Sequence, residues 1–133
     1  MSQENAEVVR ALVDHWNAGV RSVPTEYLDP AVELESPFSS VSGTPYRGYA
    51  GIEEWMRELD EQFSVWRMRL DDVREVGTTV IAVASVHGRG RASGIEFNQP
   101  SAVVAAFGSD HRITRARIYA DVHAAFEAVG LSE

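Results

Sequence analysis

The sequence has no cysteine and no lysine. The first absence excludes disulfides, thiolate metal sites and cysteine nucleophiles. The second removes Schiff-base chemistry and any lysine general base, since all twelve basic residues are arginine. Positive charge is also in short supply. Twenty acidic side chains against twelve arginines leave a net charge of −8, which disfavours nucleic acid, whose affinity comes mostly from neutralising phosphates. No run approaches the ~20 apolar residues of a membrane span. The N-terminal "MSQENAEVVR" lacks the basic region and apolar core of a signal peptide, so no membrane partner is expected and the expected location is cytoplasmic. None of the four histidines has a spacing such as H-x-x-x-H, so neither a metal nor another cofactor is expected.

What is present suits one domain spanning 1–133, with 44% apolar and 24% charged residues and room for a real core. In "AEVVRALVDHWNAG", Val8, Val9, Leu12, Val13 and Trp16 form one helical stripe, and Gly19 is a stop. Thr25 to Asp29 suits a short helix, followed by a strand from about Ala31 to Ser36 between Pro30 and Pro37. "FSSVSGTPYRGYAG" has loop composition. "GIEEWMRELDEQF" is a second amphipathic helix, with Ile52, Trp55, Met56, Leu59 and Phe63 inward.

Beyond it the period falls from about 3.6 to 2. "VWRMRLDDVREV", "VIAVASVH", "IEFNQPSAVVAAF" and "RITRARIYA" read as four strands, with a turn at Gly77-Thr78. "DVHAAFEAV" closes as a short helix N-capped by Asp121. Helices followed by one long antiparallel meander predict an α+β fold. The glycines of "VHGRGRASG" are Gly88, Gly90 and Gly94. Their spacing is one residue too long for a dinucleotide fingerprint, and a strand rather than a helix follows. That stretch reads as a β-hairpin loop.

The ordered set "VVRALVDHWNAG", "YLDPAVELESP", "YRGYAGIEEWMREL", "VHGRGRASGIEF" and "RIYADVHAAFEAVGL" spans nearly the whole chain. It resembles the NTF2-like superfamily, in its SnoaL-like and ketosteroid-isomerase-like branch. The resemblance implies a cone: a curved antiparallel sheet wrapped around the N-terminal helices, an apolar pocket, and a homodimer packed through the outer sheet face. One such scaffold hosts unrelated chemistries. Carried over residue by residue, the isomerases' catalytic aspartate falls at Ser36, their oxyanion tyrosine at Leu12 and their second acid near Val103. A serine cannot replace a carboxylate base at neutral pH. Of the Asp-Arg-Asp set of the family's limonene epoxide hydrolase, the Arg and one Asp fall at Ser85 and His87 and the second Asp at Ile118, so that set is also missing. The polyketide cyclases pair an aspartate with a histidine, of which only the histidine is matched.

By the same resemblance, strand alternation sends Val83, Ser85, His87 and Arg89 into the pocket. His87 becomes the acid/base candidate, since its ordinary pKa of ~6.5 permits proton exchange near neutrality. Glu33 and Glu35 alternate away from Val32, Leu34 and Ser36, so Glu35 enters the pocket as a base only if a bulge shifts the register. Leu12, Trp16, Leu34, Ser36, Trp55, Leu59, Phe63, Val103 and Ile118 would line the pocket, with Ser85, Arg89 or Gln99 orienting a ligand oxygen. Arg115, Arg117 and Tyr119 share the outer face expected to dimerise. Two functions are expected of such a chain. One is a cofactor-free isomerase, cyclase or hydratase for a small apolar cyclic compound of polyketide or terpenoid type. The other is a non-catalytic binder of such a compound. A carboxylate within hydrogen-bond reach of a pocket-facing His87 favours the first, and an outward His87 the second.

Overall fold

The apolar spacing of the first segment produces helix α1, Glu4–Asn17, burying Val9, Leu12 and Val13. The computed structural model describes residues 4–37 and 44–131; the central part of the loop expected after Pro37 lies outside them. In place of the short helix expected from Thr25 to Asp29, Thr25 to Tyr27 form a turn, with the Tyr27 amide donating to the Pro24 carbonyl, and Leu28 and Asp29 already belong to a strand. Strand β1 starts earlier than expected and runs Leu28–Glu35. The early start has a physical cause: Leu28 pairs with Ile113, whose amide donates to the Tyr27 carbonyl at 2.8 Å. A two-residue strand that the loop composition concealed, β2 (Tyr46–Arg47), leads directly into α2, Gly48–Gln62.

Strands β3 (Phe63–Val76), β4 (Thr79–Gly90), β5 (Glu96–Phe107) and β6 (Ile113–Tyr119) make the meander. The last helix, α3 (Val122–Ala128), is capped by the Asp121 carboxylate, which accepts from the amides of His123 and Ala124. The sheet order is β2-β1-β6-β5-β4-β3, antiparallel except for the parallel pair β1–β6. This is the expected α+β cone, with a curved sheet that does not close. At Gly77 a φ of 63° makes the tight β3–β4 turn, a conformation glycine adopts without steric cost.

The concave face carries the main core. Val32, Leu34, Val80, Ala82, Ala105 and Ile118 meet Val9 and Leu12 of α1 and Ile52, Trp55, Met56 and Leu59 of α2. Helix α3 lies on the opposite, convex face, where Ala125 and Phe126 pack with Ile81 and Ala102. The sheet is therefore covered on both sides at one end and on one side only at the other. Side chains from the sheet also fasten α1. The Glu75 carboxylate accepts from the Ala6 amide at 3.2 Å, in effect an N-cap supplied from β3. At the other end the Asn17 amide donates to the Met68 carbonyl at 2.6 Å and accepts from the Met68 amide at 3.0 Å. Because β3 is an edge strand, Asn17 satisfies backbone groups that would otherwise offer a template for strand addition.

Candidate functional site

The end of α1, the end of α2 and the start of β3 converge inside the sheet. Helical spacing brings Trp16 and Trp55 inward, and strand alternation brings Trp66 to the same place, in phase with Met68 and Leu70. The rings meet edge to face, with centroids 4.9 Å apart for Trp16–Trp55 and 5.9 Å for Trp55–Trp66. Phe63 and Phe97 continue the aromatic wall at 5.6 Å. This packing leaves a cavity of about 50 Å³, bounded by the three tryptophans, Met56, Leu59 and Phe63. Trp55 is 1% exposed, and neither its indole N–H nor that of Trp16, both buried, has an acceptor. A buried donor left unpaired costs about 1–3 kcal/mol, so these two N–H groups, like the buried Ser101 hydroxyl, are unsatisfied polar groups among the described residues.

Arg21 and Asp60 border the cavity on its exposed side, joined by two parallel hydrogen bonds of 2.8 and 2.9 Å. The hydrogen bond from Arg21 holds the Asp60 carboxyl below its usual range, against a smaller opposing effect of burial, and the charges of Arg21 and Arg91 act in the same direction as the bond. Arg91 itself donates to the carbonyls of Asp60 and Phe63 at 2.8 and 3.2 Å. The hairpin "GRASG" therefore clamps the C-terminal end of α2, where the carbonyls carry the helix's negative pole. Within the same hairpin, a side chain at Gly88 would stand 2.4 Å from the Phe97 ring. The glycine lets that ring lie across β4.

The sequence-predicted residues fall into two sets. Leu12, Trp16, Leu34, Trp55, Leu59, Phe63, Val103 and Ile118 are all on the concave side, but most of them fill the core. Only Trp16, Trp55, Leu59 and Phe63 border the cavity. Gln99, opposite the buried Val86, also lies on that side. The other set requires correction. Val80, Ala82, Ala84 and Val86 are the inward positions of β4, so Ser85, His87 and Arg89 point outward. Val83 is also on the convex face, packed under α3. That helix buries Ile81 and Val83, making β4 apolar on both faces at one end and blurring the alternation that would have fixed its phase.

His87 is exposed, with Nε2 3.9 Å from one Glu96 carboxylate oxygen, while Arg89 holds the other at 2.6 Å. Glu35 stays on the convex face opposite Arg117. The irregularity in β1 lies between Leu28 and Glu33, upstream of it, and does not turn it inward. Ser36 borders a separate groove with Arg117, Ile118 and Tyr119. Sequence reasoning missed Trp66, although its alternation with Met68 and Leu70 signals it. It also missed the Arg21–Asp60 pair, for which residues 39 apart leave no local signal.

The SnoaL-like domain family matches residues 9–116. The chain belongs to the SnoaL-like domain family. Solved structures of the same fold cover nearly all of this SnoaL-like chain. An NTF2-like protein of unknown function from Burkholderia pseudomallei has a TM-score of 0.80 at 16% identity, over 98% of this chain and 99% of that one. TerC, co-crystallised with polyporic acid, has a TM-score of 0.78 at 18% identity, over 95% and 98%. A ketosteroid-isomerase-like protein from Catenulispora acidiphila, in complex with trimethylamine, has a TM-score of 0.76 at 17% identity, over 94% and 93%. No curated protein matches the chain. No helix among the described residues is long and apolar enough to cross a membrane.

Proposed function

We propose that this SnoaL-like protein binds a small, apolar cyclic molecule carrying an accepting oxygen, such as a ketone, lactone or quinone, and does not turn it over. The observation that supports this reading is the pair of buried indole N–H groups without acceptors on Trp16 and Trp55, two side chains that border one cavity. Aromatic walls favour a planar, apolar body, and the two donors favour an oxygen acceptor placed between them. The acid–base groups that would support an isomerase or cyclase lie elsewhere, with His87 and Glu35 on the convex face. The remaining carboxylate at the cavity, Asp60, is held below its usual pKa by Arg21 and is a poor base at neutral pH. Polyporic acid in TerC is a precedent of fold for a cyclic ligand.

A cavity of about 50 Å³ takes one or two waters, so a ligand enters only if Arg21 parts from Asp60 and the surrounding aromatic side chains give way. Both side chains are nearly half exposed, and such a pair is worth about 1 kcal/mol or less, a small barrier to opening. The test is a thermal-shift screen of cyclic ketones, lactones and quinones on wild type, Trp16→Phe, Trp55→Phe and His87→Leu. Stabilisation of wild type and His87→Leu that is lost in both tryptophan variants is expected. Equal stabilisation of all four proteins, no stabilisation at all, or conversion of a stabilising compound into product would overturn the proposal.

A further inference from the structure

In a chain of net charge −8, the environment of each arginine is informative. Seven have a carboxylate within 4.0 Å: Arg21 with Asp60, Arg47 with Glu33, Arg57 with Glu61, Arg69 with Asp71, Arg74 with Asp72, Arg89 with Glu96 and Arg112 with Asp110. Arg91 clamps helix carbonyls, and Arg117 lies 4.5 Å from the centre of the Tyr119 ring. Among the described residues that leaves Arg10, Arg67 and Arg115. Two of these three, Arg10 and Arg67, border one groove of about 650 Å³ running from α1 around the β3 edge.

Arg69 and His87 border the same groove. Arg67 is the direct cross-strand partner of His87, and His87 in turn is opposite Asn98, which also lines it. Two groups able to carry positive charge thus stand directly opposite on one sheet face, an arrangement that destabilises it without a counter-charge, and the carboxylate nearest His87, Glu96 at 3.9 Å, is shared with Arg89. The wall carries three guanidiniums and one carboxylate, Asp14, while Asp71 is occupied by Arg69.

We infer that this groove is a binding site for a small dianionic oxyanion, a phosphate ester or a dicarboxylate. Arg67 grips its oxygens, His87 and Asn98 donate from the same sheet face, and Arg10 adds positive charge from α1 around the strand edge. A planar guanidinium fork matches either oxyanion through two parallel hydrogen bonds. The site is separate from the tryptophan cavity, so its failure or success leaves the binding reading above unchanged.

The experiment follows the His87 Cε1–H resonance by NMR at pH 7.5 and low ionic strength. Inorganic phosphate and succinate are titrated separately into wild type, Arg67→Gln and Arg115→Gln. Saturable movement of His87 with at least one of the two anions is expected. Affinity should fall at least fivefold in Arg67→Gln and stay unchanged in Arg115→Gln; the anion that saturates identifies the class. Non-saturating drift shared with His15, His111 and His123, no movement with either anion, or equal titration of Arg67→Gln and wild type would overturn the assignment.

Discussion

Trp55 shows how one residue can be both core and binding surface. Its ring is nearly inaccessible and packs against two other indoles, while its N–H lacks an acceptor. Truncation to alanine removes the packing and should cost about 3–5 kcal/mol. Trp55→Phe keeps most of the packing and deletes an unsatisfied donor, so urea unfolding should show a loss of less than about 2 kcal/mol. Gly88 makes the opposite point, because there the absence of a side chain is the contribution. Gly88→Ala forces the Phe97 ring away and should destabilise by about 1–3 kcal/mol, as overpacked sites do; Phe97→Leu in the same chain should recover part of it. The inward aromatics on α1 and α2 were legible from helical spacing. The unpaired state of their N–H groups was not, because it depends on what three separated segments place around them.

At the level of elements, α1 is held less by its own termini than by the sheet. Asn17 makes two hydrogen bonds to the Met68 backbone of the edge strand. Asn17→Ala should cost about 1–2 kcal/mol, and hydrogen exchange should show faster exchange of the Met68 amide while amides of the central β5 change little. The order and type of α1, α2, the four meander strands and α3 were readable because the hydrophobic period changes from helical to alternating at Phe63, whereas the turn before β1 and the two-residue β2 were not. The facing of β4 was not. Once α3 covers Ile81 and Val83, both faces of that strand read as apolar at one end. The polar residues Ser85, His87 and Arg89 then mark the uncovered outer face rather than a pocket. The start of β1 was missed for a similar reason, since its pairing partner Ile113 lies 85 residues away.

Across the whole molecule, acidic charge is balanced locally by arginine. Hydrogen bonds from Arg21, Arg89 and Arg112 are the largest causes that hold Asp60, Glu96 and Asp110 below their ordinary pKa values. A carboxylate depressed in the folded state stabilises above its unfolded pKa of about 4 and loses that contribution as pH falls through the folded value. Unfolding free energy should therefore decline below about pH 4. Asp60→Asn should flatten part of that decline, by about 1 kcal/mol or less given the exposure of the pair.

The convex face keeps Arg115 and Arg117 exposed beside the partly buried Tyr119, and we propose it as a homodimer interface. α3 occupies the neighbouring strip over Ile81 and Ala102, which confines the contact to the β1–β6 side. Light scattering coupled to size exclusion should report a dimer for wild type and a monomer for Arg117→Glu.

The central claim concerns the tryptophan cavity, and NMR of the indole N–H groups tests it most directly. On titration with the cyclic carbonyl compound that best stabilises the protein, the Trp16 and Trp55 indole N–H signals should move together and downfield, as donors gaining an acceptor do. Asp60→Asn, which weakens the pair with Arg21, should bind up to about fivefold more tightly. Indole signals that stay fixed while other resonances respond would place the ligand elsewhere and contradict the account.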